Sequence, residues 1–325
     1  MVSKSGNVSL QKGNAVSGSL KKKKRMDAIF IYGFLAWPII HWLIFTGYAD
    51  VMMIVRSFQE KTLLQGYKFT FENYENMWKY FFAGEGPGYW NMRSVLNSLA
   101  ILPEVLFIGL PSCFLAAYYI YRKYPMHGLV RIFMMFPTII SAVVWCLVWK
   151  LLCDNQLGVF NKILTQIGLE HVIPKNGWLG DENTAFKCVY LFSIWTGVGG
   201  SNMLYFSSAM TRMPQSLVEA AYLDGANDMT VLLKIILPLI WPVYCTMTIF
   251  SLGVIGGWYL PSLLMTGGGP DGATATIGMI VISEAKSNLD VGMVSCFGTC
   301  FAVIFGTLIT LAKKGINSIY EEVEY

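Results

Sequence analysis

The chain has 325 residues, of which 54% are hydrophobic and 14% are charged, and its mean hydropathy is +0.50. Soluble globular proteins carry about 25% charged residues, so this composition argues against a soluble enzyme and indicates a membrane protein. The net charge of +4 says little by itself, because seven of the 24 basic residues lie in the first 25 positions.

The first predicted element is a flexible basic tail over residues 1–26. Residues 1–20 are rich in Ser, Gly, Asn and Lys and show no apolar periodicity. Five cations, Lys21 to Arg25, directly precede an apolar segment that starts at Ala28, which is typical of a cytoplasmic flank under the positive-inside rule. The alternative, a nucleic-acid patch, does not account for the adjacent apolar stretch. We therefore expect a cytoplasmic N-terminus and no nucleic-acid partner.

The remainder, residues 27–325, is predicted as one membrane domain. A bilayer-spanning helix needs about 20 apolar residues. With the N-terminus inside, residues 121–131, 211–238 and 313–325 lie in the cytoplasm, and the basic residues of these inner segments agree with that orientation. The predicted fold class is an all-α integral membrane protein with six transmembrane helices and cytoplasmic termini. The six apolar segments are 28–55, 94–120, 132–152, 186–210, 239–264 and 292–312.

Several predicted spans contain residues that break or closely pack helices. Pro103 and Pro111 predict a kink in the second span. The glycine-rich run from 196 to 201 predicts a flexible stretch in the fourth span, near mid-membrane. Close helix packing is indicated by Gly253 and Gly257 in the fifth span and by Gly298, Ala302 and Gly306 in the sixth.

An ionisable residue inside a span is the strongest physical indication of a solute pathway. Glu104 lies about ten residues into the second span, which is roughly 15 Å deep at about 1.5 Å per residue. A charge at that depth faces a bundle interior or a water-filled cavity. Two interpretations remain open. The carboxylate hydrogen-bonds the hydroxyl groups of a solute, or a protonated Glu104 hydrogen-bonds a neighbouring helix.

The inner segment 211–238 predicts a short helix, a turn and a second helix. Pro214 suits a first helical turn, and Gly225 supplies a stop with unrestricted φ. Asp224 is unfavourable at the negative end of the first helix, so we expect it to cap the start of the second. Ala220 and Ala221 keep one helix face small, which allows a partner surface to come close.

This inner segment closely resembles the EAA loop of permease subunits in binding-protein-dependent ABC importers. Leu232 departs from the pattern, since the family usually has Phe there. The resemblance implies a type I ABC importer permease fold over residues 27–325, in which 211–238 is the coupling loop and Glu219 pairs with a basic residue of a partner ATPase. The matching residues are Glu219-Ala220-Ala221, Asp224-Gly225-Ala226, Ile235, Leu237-Pro238 and Pro242, and the residues implied in ATPase coupling are Glu219, Ala220, Ala221, Asp224 and Gly225.

An outer segment resembles carbohydrate permeases of the maltose type. It comprises Leu264 to Pro270, then Thr274 or Thr276, and later residues 288–292. Between these motifs the chain lacks the family's usual aromatic residues, which leaves the substrate subgroup open. The resemblance implies a prokaryotic plasma-membrane permease that works with a second homologous permease subunit, two ATPase subunits and an extracytoplasmic solute-binding protein. The implied substrate is a sugar, expected to be an oligosaccharide.

In maltose-type relatives the sugar contacts come from the helices that flank the coupling loop. The resemblance therefore nominates Trp195 and Asn202 before the loop, and Ser251, Trp258 and Tyr259 after it, beside Glu104. Aromatic faces stack on sugar CH surfaces, and amide and hydroxyl groups recognise sugar hydroxyls. For Trp258 and Tyr259 an interfacial aromatic belt, in contact with membrane lipid, is the alternative.

No nucleotide-binding or metal-binding motif is present in the sequence. The nearest approach to a P-loop, Gly13 to Gly18, lacks the lysine that reaches the phosphates. We therefore expect no cofactor and no enzymatic activity in this chain, with ATP and Mg²⁺ bound by the partner ATPase. The three histidines lie far apart, which argues against a metal site. Rival functions are an ABC importer for a non-sugar solute such as glycerol phosphate, a stand-alone secondary transporter, and a membrane scaffold or sensor.

Overall fold

The computed structural model describes residues 25–62, 66–84, 91–287 and 291–318. These residues fall into two units, divided between Arg56 and Ser57. Most of the predicted tail, residues 1–24, lies outside the described residues. Residues 288–290, which belong to the outer segment that resembles maltose-type permeases, lie outside them as well. The predicted coupling and pathway residues all lie within the described part of the chain.

The described residues of the first unit belong to one apolar helix. Helix α1 spans Arg25–Ser57, contains a π-helical turn at Leu43–Gly47 and includes the predicted first span. None of its residues up to Arg56 is buried, and large apolar side chains such as Phe34 and Trp37 are exposed around it. A helix that is apolar on all sides is typical of a segment covered by lipid or by other helices.

The second unit begins with a small hairpin, so the chain is not purely α-helical. Strands β1 (Gln59–Thr62) and β2 (Gly66–Phe69) pair antiparallel, and Glu60 lies opposite Lys68. The amide of Asn73 donates to the carbonyl oxygens of Ser57 and Gln59, at 3.0 and 3.1 Å, which fixes the start of the hairpin. Helix α2 follows over Glu72–Trp78 and continues as a π-helical turn, Lys79–Ala83.

The predicted second span is an unbroken helix. Helix α3 runs over Met92–Tyr121, and Asn91 caps its start by accepting from the backbone N–H of Ser94 at 3.2 Å. A π-helical turn, Val105–Gly109, lies between Pro103 and Pro111. Each proline lacks the N–H that a regular α-helix requires, and the change of helical hydrogen bonding occurs between them.

The predicted third span is sharply bent. Helices α4 (His127–Ile139) and α5 (Ala142–Leu152) meet at an angle of 96°. Ile140, between them, has an extended backbone with ψ of 139°. Pro137 removes a helical hydrogen bond just before this corner, which favours the end of α4 there. The short helix α6 (Val159–Gln166) and a 3₁₀ turn, Glu170–Val172, lie in the following connection.

The predicted fourth span is divided at its glycine-rich run. Helix α7 (Ala185–Gly197) and helix α8 (Asn202–Arg212) are separated by residues 198–201. Among the described residues, four helices are long and apolar enough to cross a membrane, and the α4–α5 pair makes five if it counts as one span. The α7–α8 pair is not among them, so the count of six spans stays a prediction.

The last helices carry the inner segment and return through the predicted membrane region. The helices are α9 (Gln215–Leu223), α10 (Asp228–Val231), α11 (Trp241–Met265), α12 (Ile277–Ser287) and α13 (Val291–Asn317). Helix α10 continues beyond its last residue as a π-helical turn, Leu232–Ile236, and a short helical stretch, Leu237–Leu239. Helices α11 and α13 correspond to the predicted fifth and sixth spans.

The main core lies where the second half of α3 packs against α8. Phe114 contacts Phe206 edge to face, with ring centroids 5.8 Å apart. Val218 and Ala221 of α9 belong to the same buried cluster, as does Val231 of α10. Burial of these apolar side chains holds the inner segment against the helices of the second unit.

Candidate functional site

A cavity of ≈ 290 Å³ lies where α3, the break between α7 and α8, and α11 come together. Four of the six predicted pathway residues line it: Glu104, Asn202, Ser251 and Trp258. They come from three elements far apart in sequence, so only the tertiary fold brings them to one place. The hydroxyl-bearing residues that also line the cavity are Thr138, Ser193, Thr196 and Ser201.

Glu104 is the one ionisable carboxyl group among the described residues that line this cavity, and it is only 1% exposed. The hydroxyl of Ser193 donates to Glu104 Oε2 at 3.1 Å. Glu104 Oε1 has no hydrogen-bond partner among the described residues. Buried polar atoms nearly always have a partner, so this oxygen is an acceptor with capacity for a donor from a solute, from water or from another chain.

The glycine-rich break allows the backbone to approach Glu104 closely. A Cβ atom on Gly197 would overlap Glu104 Oε1, and a Cβ on Gly199 would lie 2.5 Å from the carbonyl oxygen of Met134. Gly200 has φ of +148°, a conformation that residues other than glycine rarely adopt. The three glycines therefore create the break that forms one wall of the cavity.

The other two predicted pathway residues lie elsewhere. Tyr259 lines an adjacent cavity of ≈ 560 Å³ together with Trp258, Thr138 and Thr196. Trp195 lines neither cavity. Its ring stacks on Trp149 with centroids 5.6 Å apart, and its side chain is 40% exposed. Trp195 and Ser193 lie two positions apart on one helix, so their side chains point in different directions.

The outer segment that resembles maltose-type permeases is anchored to α3. Asn97 donates to the carbonyl oxygens of Ala273 and Ala275, both at 2.9 Å. The hydroxyl of Ser98 accepts from the backbone N–H of Ile277 at 2.9 Å. Thr274 donates to the carbonyl of Gly269 at 3.0 Å. Residues 273–276 are fully buried, so this segment is part of the packed structure rather than a loose turn.

The predicted coupling residues lie on α9 and in the turn that follows it. Glu219, Ala220, Asp224 and Gly225 are exposed, whereas Ala221 is buried in the main core. Gly225 has φ of +83°, the left-handed conformation that favours glycine. The helix, turn and second helix predicted from the sequence are confirmed.

The capping role expected of Asp224 is wrong. Asp224 follows α9, and its backbone N–H donates to the carbonyl of Ala220 at 3.0 Å. The cap of α10 is Asn227, whose side-chain oxygen accepts from the backbone N–H of Thr230 at 2.8 Å. The turn through Gly225 and Ala226 separates Asp224 from α10, so the residue three positions before Thr230 takes the capping position.

A polar cluster around Asp228, which was not predicted from the sequence, holds α10 to the end of α3. Tyr222 donates to Asp228 Oδ1 at 2.5 Å, and Tyr124 donates to Asp228 Oδ2. An Arg122 guanidinium nitrogen lies 3.7 Å from Asp228 Oδ1, and the guanidinium covers the Tyr222 ring at 4.6 Å. Hydrogen bonds from Tyr124 and then Tyr222 lower the pKa of the Asp228 carboxyl below its ordinary value.

Two further surface features lie beside Glu219. Leu223 is 89% exposed at the end of α9, which is an unusual position for a large apolar side chain. A cleft of ≈ 380 Å³ is lined by Glu219, Arg122, Lys123 and Tyr222, among others. The sequence of 215–223 gives no signal that Leu223 is exposed, because the apolar residues Leu217 and Val218 lie on the same short helix. The Arg122–Asp228 contact spans more than 100 residues and has no local signal.

Among the described residues, no group of three His, Cys, Asp or Glu side chains is placed to hold a metal ion. The polar groups of the two cavities are hydroxyls, one amide, one carboxyl group, aromatic N–H or O–H groups and the single thiol of Cys146. This set is suited to hydrogen bonding and ring stacking rather than to metal coordination.

Comparisons with known proteins place this architecture in one family. Residues 106–317 match the family described as binding-protein-dependent transport system inner membrane component. The chain is 28% identical over 264 residues to the sulfoquinovosyl glycerol transport system permease protein SmoG of Agrobacterium fabrum, covering 80% of each chain. It is 27% identical over 229 residues to the arabinooligosaccharides transport system permease protein AraP of Bacillus subtilis, covering 70% of this chain and 68% of AraP.

The fold is also similar to that of a chain in the crystal structure of a bacterial ABC transporter involved in the import of the acidic polysaccharide alginate. The TM-score is 0.74 at 20% identity, covering 93% of this chain and 99% of that chain. The family match covers well over half of the sequence and includes the glycine-rich break, the segment 211–238 and the outer segment. The chain therefore belongs to the inner membrane components of binding-protein-dependent transport systems.

Proposed function

We propose that this chain is one of two membrane-spanning permease subunits of an ATP-driven ABC importer for a neutral oligosaccharide. The observation that carries the proposal is the convergence of Glu104, Asn202, Ser251 and Trp258 on one cavity beside a helix break. A carboxylate, an amide and a hydroxyl supply acceptors and donors for sugar hydroxyl groups, and an indole supplies a face for a sugar ring. Permease relatives with sugar-derived names support a saccharide as the solute, and the arabinooligosaccharide relative supports a neutral one.

The charges of the cavity favour a neutral solute over an anionic one. None of the described residues that line it is basic, and Glu104 carries an oxygen without a partner. A phosphate or uronate group would meet a buried carboxylate without a compensating cation, which is costly in a medium of low polarity. This argument disfavours glycerol phosphate and acidic saccharides as substrates.

The inner surface is proposed to dock an ATPase subunit. Glu219, Ala220 and Gly225 present a charged group and small groups to the solvent, and Leu223 presents a large apolar one. Burial of Leu223 in a partner would remove apolar surface from water, while Glu219 would pair with a cation. Closure of two ATPase subunits would then move α9, and the shared core of α9, α8 and α3 would transmit that motion to the cavity.

The remaining assembly follows from this role. We propose six spans with both termini in the cytoplasm, in which the α7–α8 pair forms the fourth span around the cavity. A second homologous permease would complete the pathway and cover exposed apolar faces, and lipid would cover the rest. An extracytoplasmic solute-binding protein would deliver the sugar to the outer side, and ATP and Mg²⁺ would be bound by the ATPase subunits.

The proposal is tested in two steps. The tagged chain is extracted gently from its own membranes, and the proteins that co-purify in stoichiometric amounts are identified by mass spectrometry. An ATPase, a second permease and a solute-binding protein are expected. The purified complex is then reconstituted in proteoliposomes with that binding protein, and ATP-dependent uptake is measured for neutral di- and trisaccharides, an oligouronate and glycerol 3-phosphate.

ATP-dependent uptake of a neutral saccharide supports the proposal. Uptake of glycerol 3-phosphate or the oligouronate in preference to neutral saccharides would overturn the substrate class but keep the importer. A chain that purifies alone and transports on an ion gradient would overturn the importer itself.

A further inference from the structure

Two cysteines on different helices lie side by side in a buried cluster. Cys153 directly follows α5, and Cys188 lies in the first turn of α7. Their Sγ atoms are 3.0 Å apart, and both side chains are buried, at 3% and 9% exposure. Bonded sulfur atoms lie about 2.05 Å apart, so a shift of roughly 1 Å would close the gap.

The surrounding contacts hold the two thiols together. The indole N–H of Trp149 donates to the carbonyl oxygen of Cys188 at 3.2 Å, which joins α5 to α7 beside the sulfur pair. Cys146, Val189 and Phe192 complete the buried cluster around them. The pairing is therefore fixed by packing and by a backbone contact, not by a chance approach of two mobile side chains.

The chain on both sides of the pair is also ordered. Asp154 Oδ1 accepts from the backbone N–H groups of Gln156 and Leu157, at 2.9 and 2.8 Å, so the turn after Cys153 is fixed. Thr184 donates to the carbonyl of Trp178 at 2.9 Å, just before α7. Trp178 in turn donates to Asn161 at 2.6 Å. These contacts tie the end of the connection, through Trp178, to Asn161 near its beginning.

We propose that Cys153 and Cys188 form a disulfide bond on the extracytoplasmic side, which fastens the connection 154–187 to the ends of α5 and α7. The sidedness rests on the topology of the proposed function, in which this connection is outside. Disulfides form and persist in that compartment, whereas cytosolic thiols stay reduced. The bond constrains the connection that precedes the helix carrying Ser193.

The oxidation is balanced by thiol–disulfide exchange. The oxidant is an extracytoplasmic disulfide, either of a protein or of a small thiol. One cysteine thiolate attacks that disulfide and forms a mixed disulfide, releasing one thiol of the oxidant. The second cysteine thiolate then displaces the other thiol. The two cysteines lose two electrons and two protons in total, and the oxidant disulfide becomes two thiols.

The pair is detected by counting thiols in the full-length chain. Membranes are quenched in acid and denatured, and thiols are alkylated with a maleimide of high mass, with or without prior reduction. We expect five reactive cysteines without reductant and seven after reduction, since the chain has seven cysteines. Peptide mapping by mass spectrometry is expected to link the peptides of Cys153 and Cys188.

Single variants provide the matched comparison. In Cys153→Ser and in Cys188→Ser all six remaining thiols are expected to react without reductant. Cys300→Ser, at a partly buried position on α13, is expected to keep a reductant-dependent pair. If a Cys153 or Cys188 variant fails to accumulate, the peptide map of the wild-type chain still decides the matter.

Seven reactive thiols in the unreduced wild-type chain, or a linkage between other cysteines, would overturn the disulfide. Uptake measured on the same preparation separates this result from the proposed function. A chain with seven free thiols that still imports a neutral saccharide leaves the function in place and removes only the disulfide. A linked chain without uptake gives the opposite result.

Discussion

At the scale of single residues, two carboxylates have opposite surroundings. Glu104 is buried with one oxygen unpartnered, beside a cavity whose described lining contains no cation. Asp228 is exposed, yet both of its oxygens accept from tyrosines and a guanidinium lies nearby. The first has unused hydrogen-bonding capacity, which suits a binding role. The second is satisfied within the chain, which suits a positioning role.

Glu104→Gln tests the binding role. Glutamine keeps the shape of the side chain but replaces a charged acceptor, whose hydrogen bonds are worth about 1.5–3 kcal/mol, by a weaker neutral one. We expect the KM for uptake of the neutral saccharide to rise about tenfold, with a smaller change in maximal rate. Initial uptake rates in proteoliposomes measure both constants.

The control for Glu104→Gln is Glu182→Gln, which removes an exposed carboxylate paired with Arg93 at 2.5 Å. Exposed ion pairs contribute little, so its uptake kinetics are expected to match the wild type. Unchanged kinetics in Glu104→Gln would instead favour the other interpretation, a protonated Glu104 bonded only to Ser193.

Asp228→Asn tests the positioning role through pH. The folded pKa of Asp228 lies below its unfolded value of about 3.9, so the stabilisation is present above that pH and is lost as pH falls through the folded pKa. We expect wild type to have the higher apparent Tm at pH 5–7 and the difference to shrink below about pH 4. Thermal unfolding in detergent at a series of pH values measures this. A difference that is independent of pH would contradict the assignment.

At the scale of elements, some helices are interrupted by a bend or a break, and others are regular. The α4–α5 corner and the α7–α8 break both occur next to proline or glycine residues, and the two together form walls of the cavities. Helix α9 is the opposite case, since it is regular, with one face in the core and one exposed. Its exposed face is the part of this chain proposed to meet the ATPase.

Leu223→Asp tests whether that face docks a partner. The side chain is 89% exposed, so the substitution leaves the packing of this chain intact, while a charge in an apolar contact weakens association. We expect several-fold less ATPase to co-purify per permease. Leu157→Asp, at a leucine that is 74% exposed in the connection after α5, is expected to leave co-purification unchanged. Equal loss in both variants would indicate a general effect on folding.

Gly225 and Glu219 test whether the same face transmits force. Gly225 has φ of +83°, which a β-branched residue rarely adopts, so Gly225→Val is expected to displace the turn. Uptake is expected to fall while ATP hydrolysis continues, and Glu219→Lys is expected to give the same uncoupling. Gly225→Asn is the control, because asparagine tolerates the left-handed region. Normal uptake in both Gly225→Val and Glu219→Lys would contradict the proposed coupling role of these residues.

At the scale of the whole molecule, distant segments are joined by a few buried polar contacts. Asn97 of α3 holds residues 273 and 275 of the outer segment, and Ser98 holds Ile277. These bonds link parts of the chain that are more than 170 residues apart. They place the end of α11 and the start of α12 beside α3, which encloses the region around Trp258.

Asn97→Ala tests this link. The substitution leaves two buried carbonyl oxygens without their donor, which costs about 1–3 kcal/mol. We expect the apparent Tm of the purified chain to fall by several degrees. Asn155→Ala, which removes a longer, exposed bond of 3.4 Å to the carbonyl of Lys175, is expected to change it by less than one third as much. Equal shifts would contradict a specific role for the buried bonds.

Composition and local pattern alone determined the membrane class, the positions of the apolar segments and the helix–turn–helix of 211–238. These properties depend on residue type and on spacing along the chain, which a single sequence contains. The motif around Glu219 to Gly225 also predicted the family, since its residues lie close together along the chain. The small hairpin at 59–69 and the capping by Asn227 were missed, because both depend on hydrogen bonds made by nearby but non-adjacent groups.

Only the tertiary structure decided which predicted residues share a site. It brought Glu104, Asn202, Ser251 and Trp258 to one cavity and left Trp195 packed against Trp149. It paired Asp228 with Arg122, and Cys153 with Cys188. The physical reason is that a bend of 96°, or a break of a few residues, changes the direction of the chain. The position of every later side chain changes with it. The sequence marks such points by Pro and Gly, but the direction taken there is set by packing against the rest of the chain.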